Sequence, residues 1–70
     1  MSNIQAIYAL LDDGWTANTL LRWIKKSDLM PIKRVHYIGN SIRYRIKEPN
    51  PNKKYYTKVL ANGVHLVIEK

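Results

Sequence analysis

Cysteine is absent from the chain, so disulfides and thiolate metal sites cannot supplement its stability. With 70 residues the protein has to fold on one small core. At that size, burial worth roughly 25 cal/mol per Å² barely exceeds a chain entropy of roughly 1.5 kcal/mol per residue. No stretch approaches the roughly 18 apolar residues of a membrane-spanning helix. The opening MSNIQAIYALLDDG has no basic segment and no long apolar run, so no secretory leader and a cytoplasmic location are expected. The three glycines are isolated, which excludes a glycine-rich phosphate loop. His36 and His65 are far apart and have no carboxylate at ligand spacing, so neither a metal nor a cofactor is expected. The five acidic residues sit mainly at turns and ends, which leaves no oriented acid for a nucleophilic triad. The adjacent Ser27 and Asp28 read as a turn or cap, and an enzyme is not expected.

What is present is positive charge, and it is sorted along the chain. Residues 1–21 carry Asp12 and Asp13 and no basic residue. Residues 22–58 carry eleven basic residues against Asp28 and Glu48. The last twelve carry only Glu69 and Lys70, and the whole chain has a net charge of +7. Charge that serves solubility alone has no reason to gather in one segment, so a polyanionic partner is expected.

The local patterns give a series of elements. Ile4, Ile7, Leu10 and Leu11 recur at helical spacing, which predicts a first helix over about 3–13, capped by Ser2 and stopped by Gly14. Ala17, Leu20, Leu21 and Ile24 predict a second helix over 17–26, with Thr16 as N-cap and Lys25 and Lys26 at the favourable end of its dipole. Trp15 and Trp23 read as core anchors beside it. SIRYRIK alternates Ile42, Tyr44 and Ile46 against Arg43, Arg45 and Lys47, which predicts a strand over about 41–47. KEPNPNKK is a loop. Asn62-Gly63 between two β-rich runs predicts a hairpin of strands about 54–61 and 64–69. A two-residue loop there sets Val59 opposite Leu66 and Thr57 opposite Ile68 on one apolar face.

MPIKRVHYIGN can be read in two ways. As a helix over 31–38, Pro31 stands at its first position, Ile32, Val35 and Ile38 share a face, and Gly39 ends it. As a strand, Gly39-Asn40 forms a two-residue type II′ turn and Tyr37 pairs with Ile42. Arg34, His36, Arg43 and Arg45 then gather on the opposite face. Pro31 and the spacing favour the helix, whereas the valine, tyrosine and isoleucine content favours the strand.

With the helical reading the order of elements resembles a winged helix-turn-helix DNA-binding domain. The resemblance lies in IYALLDDGWTANTLLRWIKK as the first two helices, PIKRVHYI as the third and SIRYRIKEPNPNKKYYTKVL as the wing. It implies an α+β fold of two or three N-terminal helices followed by an antiparallel β-sheet with hairpins, all in a single domain. It also implies that Lys33, Arg34, His36 and Tyr37 lie on a groove-reading helix, and that Arg43, Arg45, Lys47, Lys53 and Lys54 lie on the wing and its flanks. The expected function is a small basic protein binding double-stranded DNA, by analogy a transcriptional regulator of the phage or mobile-element kind. Two alternatives stay open. One is RNA or single-strand binding by a basic sheet face. The other is an effector that docks on an acidic protein surface. No membrane partner is expected, and the sequence specifies no oligomeric state.

Overall fold

The computed structural model describes residues 3–70, and its first element is a strand, β1 (Ile4–Leu10). This corrects the helix expected over 3–13. β1 lies at the centre of the sheet, between β3 (Ser41–Arg45) and β5 (His65–Glu69). Gln5, Ala6, Ile7 and Ala9 are all buried, so the segment buries side chains on both faces. A short apolar run of that kind carries no period of its own, and the helical spacing of Ile4, Ile7 and Leu11 is a coincidence of composition. Tertiary pairing on both edges then decides for the β-rich choice. The Ser2 cap lies outside the described residues.

After β1 a single 3₁₀ turn (Leu11–Asp13) ends at Gly14, whose φ of 86° requires glycine. Gly14 is thus a stop residue, as expected, but for a turn rather than a helix. Helix α1 (Ala17–Lys26) follows with the expected bounds. Thr16 is its N-cap, accepting from the Thr19 amide at 3.2 Å, while the Thr19 hydroxyl takes the Thr16 amide at 2.9 Å. At the other end Leu29 N–H donates to Ile24 O and Asp28 N–H to Lys25 O, a Schellman closure. Its left-handed position is occupied by Asp28, at φ 61°, and not by glycine.

The expected third helix over 31–38 is not formed. Residues 27–35 are a connection, and His36–Ile38 are a short strand, β2. The strand reading of this segment describes its pairing: Tyr37 stands opposite Ile42 across the Gly39-Asn40 turn. Gly39 has φ 55° while Asn40 does not turn positive, as a type II′ turn requires. The turn is tied down from the 3₁₀ turn after β1, because Leu11 N–H donates to Asn40 O at 2.8 Å and Asn40 Nδ2 donates to Asp12 Oδ2 at 3.1 Å.

The last hairpin, β4 (Tyr55–Val59) with β5, forms where Asn62-Gly63 predicts it, but one register step away. Val59 faces His65 and Lys58 faces Leu66. The loop has three residues, closed by Leu60 N–H to Val64 O, with Gly63 left-handed at φ 88°. Trp15 Nε1 donates to Asn62 O and holds this loop against the start of α1. A slip of one residue exchanges the faces of a strand. Thr57 and Val59 therefore leave the core side, and Lys58 joins it.

The resulting fold is α+β, but it is not two or three helices followed by a sheet. It is one α-helix inserted after the first strand of a five-stranded antiparallel sheet, order β2-β3-β1-β5-β4. The core lies between α1 and one sheet face. Leu20 and Ile24 meet Ile7, Ala9, Ile42, Tyr44, Val64 and Leu66 there. Tyr44 is core, as its alternation with Ile42 predicts, and its hydroxyl donates to Ala17 O at 3.0 Å. Burial first, and the nearby Tyr37 phenol second, push the Tyr44 hydroxyl above the usual tyrosine range. Among the described residues no helix is long and apolar enough to cross a membrane.

Candidate nucleic-acid interface

With α1 on one face, the other face of the sheet carries no helix among the described residues. Strand alternation puts His36 of β2, Arg43 of β3, Tyr8 of β1, His65 of β5 and Val59 of β4 on it. These five are direct cross-strand partners, so they form one row across the whole sheet. At its centre the Tyr8 and His65 rings stack with centroids 4.5 Å apart and planes 12° from parallel. On the other side of Tyr8 the Arg43 guanidinium lies 4.8 Å from the ring centroid. Both distances match the spacing of adjacent strands, about 4.8 Å. The groups therefore stand upright, with faces against each other and edges toward solvent.

Upright stacking is a sound way to hold a cation and two polar rings on a sheet, since ring faces attract a guanidinium. It leaves polar atoms with work to do. Arg43 Nε and His65 Nδ1, one on each flank of Tyr8, are buried without a hydrogen-bond partner among the described residues.

At the β2 end of the row a cavity of about 520 Å³ opens, lined by Lys33, Arg34, Val35, His36, Arg43 and Arg45. Arg43 and Arg45 enter from alternate positions of β3, and residues 33–36 supply the opposite wall. Glu48 is the acid beside them. Its carboxylate lies 3.3 Å from Lys33 Nζ and 3.5 Å from Arg45 Nη1. Among the described residues Arg34, His36 and Arg43 form no ion pair. The Glu48 pairs are exposed, and such pairs contribute only about 0–1 kcal/mol. An incoming anion can take over these cations at small cost.

Of the nine residues expected to meet nucleic acid, five are brought together: Lys33, Arg34, His36, Arg43 and Arg45. Lys47 lies beyond the end of β3 and pairs with Glu69 at 3.5 Å. Tyr37 points to the helix side, opposite buried Ile42. Lys53 and Lys54 precede β4, at the sheet edge opposite β2. Residues 31–38 therefore present no groove-reading helix. Arg22, Lys25 and Lys26 are exposed on α1, behind the sheet. Sequence reasoning missed Tyr8 and His65. Tyr8 was hidden by the helical reading of β1. The alternation against Leu66 and Ile68 did put His65 on the face away from the core, but its cross-strand partner Tyr8 was not recognised as a strand residue.

Compared with protein-family models, curated proteins and solved structures, the chain matches none.

Proposed function

We propose that this protein binds single-stranded nucleic acid across the open face of its sheet. The observation that carries the reading is the upright row Arg43–Tyr8–His65, continuous with a basic cavity and uncovered by any helix. Unpaired bases expose hydrogen-bonding edges that a duplex hides, and upright polar rings meet such edges with their own. Flanking cations neutralise the phosphates. The sheet's width disfavours duplex groove reading. Five strands span about 19 Å, whereas the major groove is about 12 Å wide. A sheet face of that breadth meets a duplex at its phosphates and not at its bases.

Competition between a labelled single strand and its duplex of equal length, at about 150 mM salt, tests this. The single strand is expected to bind at least about tenfold more tightly, a difference of about 1.4 kcal/mol. Arg43→Ala with Arg45→Ala is expected to lower the slope of log K against log salt by about 0.7 for each phosphate no longer neutralised. Equal competition by the duplex would refute the single-strand preference.

A second reading has its own observation. Met30, Ile32, Tyr37 and Ile38 are exposed along the β2 side, and β2 pairs with the sheet through β3 alone. An apolar fringe beside an open strand edge and a basic cavity suits a protein partner with an acidic surface. Recovery of one stoichiometric acidic protein, with no nucleic acid retained at about 150 mM salt, would favour it.

A further inference from the structure

We infer that the cavity at the β2 edge takes a terminal phosphomonoester, the phosphorylated end of a bound strand. This rests on the nucleic-acid reading above and adds to it a specificity for strand ends. Lys33, Arg34, Arg43 and Arg45 bring four cations to the cavity, and Glu48 brings one negative charge. An internal phosphodiester carries one negative charge. A terminal phosphomonoester carries about 1.5 to 2 at neutral pH and offers three acceptor oxygens. As a single group, the terminal phosphate comes nearer the charge that these side chains leave uncompensated.

The shape agrees with the charge. β2 is the last strand on this side of the sheet, and residues 33–36 wall the cavity there. A strand lying along the row therefore reaches this cavity where the sheet ends. The cavity, about 520 Å³, has room for a terminal phosphate together with the nucleoside that carries it. Arg43 joins the two parts, because it both stacks on Tyr8 and lines the cavity. A planar guanidinium suits bidentate phosphate binding.

The test uses one oligonucleotide sequence with three ends: 5′-phosphate, 3′-phosphate, and hydroxyl at both. Each is titrated by fluorescence anisotropy against the full chain. One phosphorylated form is expected to bind about tenfold or more tightly than the hydroxyl form, as charge-assisted hydrogen bonds to an added phosphate would give. Which form does so assigns the strand's direction. In Arg34→Ala, and separately in His36→Gln, the ratio of phosphorylated to hydroxyl affinity is expected to fall toward one. Both side chains are exposed, so the variants will fold. Equal binding of all three oligonucleotides would overturn the end-specific inference while leaving single-strand binding in place. Failure of all three to bind would overturn both. An end preference that survives both substitutions would place the phosphate elsewhere and overturn the cavity assignment.

Discussion

Replacing Arg43 with methionine separates what the fold needs from what the partner needs. The guanidinium lies 4.8 Å from the Tyr8 ring centre, an attraction worth about 0.5–1 kcal/mol at a partly exposed site. Against this stands Arg43 Nε, buried with no acceptor, at a cost of about 1–3 kcal/mol. Arg34 and Arg45 line the same cavity, and their like charge adds to the cost. Methionine keeps the length of the chain, and its sulfur can return about 0.3–1.5 kcal/mol against the ring. The balance predicts that Arg43→Met is neutral or more stable by about 1 kcal/mol. Urea unfolding followed through Trp15 and Trp23 reads this. With a slope near 1 kcal/mol per molar for a chain this small, the midpoint should hold or rise by about 1 M. Single-strand affinity should fall at least about tenfold in the same variant. A loss of more than about 2 kcal/mol, at unchanged slope, would refute the reasoning, because Arg43 would then be a structural residue.

Two left-handed positions give opposite predictions. Asp28→Gly should stabilise by about 0.5–1 kcal/mol, since it relieves a non-glycine φ of 61° in the Schellman closure. For a domain of this size that raises the thermal midpoint by about 4–8 °C per kcal/mol. Gly63→Ala should destabilise by about 1–2 kcal/mol. Its φ is 88°, and an added Cβ would stand 3.4 Å from both Asp13 Oδ2 and Trp15 Nε1. Calorimetry of the pair should give shifts of opposite sign, and shifts of the same sign would contradict the cap assignments. Tyr44→Phe should cost about 1 kcal/mol through loss of the bond to Ala17 O. Because the folded-state pKa of Tyr44 is raised, its contribution is complete below the unfolded value of 10.0 and is lost as pH rises through the folded value. The wild type should therefore lose stability above about pH 10 more steeply than Tyr44→Phe, and parallel alkaline unfolding curves would count against a buried Tyr44.

Elements whose signal is local were legible in the sequence. Helix α1 carries its own cap at Thr16 and its own apolar stripe, and it forms with the expected bounds. β3 alternates core and solvent residues, because one of its faces is buried and the other carries charge. The Asn62-Gly63 hairpin loop also reveals itself, since the positive φ at Gly63 selects glycine, whereas Gly39 suited both a helix end and a turn. β1 was not legible, because a central strand paired on both edges is largely buried on both sides and loses the period-two pattern. The β4–β5 register was not legible either, because Asn62-Gly63 serves a two-residue and a three-residue loop alike.

By itself the sequence determined that positive charge would be concentrated on the middle of the chain, since charge is a property of residues and needs no fold. It determined the same-side placement of Arg43 and Arg45, which follows from alternation along one strand. The tertiary structure alone decided that Tyr8 and His65, 57 positions apart in the chain, would stand beside Arg43 in one row. It also decided that Lys33 and Arg34 would wall a cavity with them while Lys53 and Lys54 went to the far edge. The physical reason is that strand order and register are set by long-range burial against α1, and no local window contains that information.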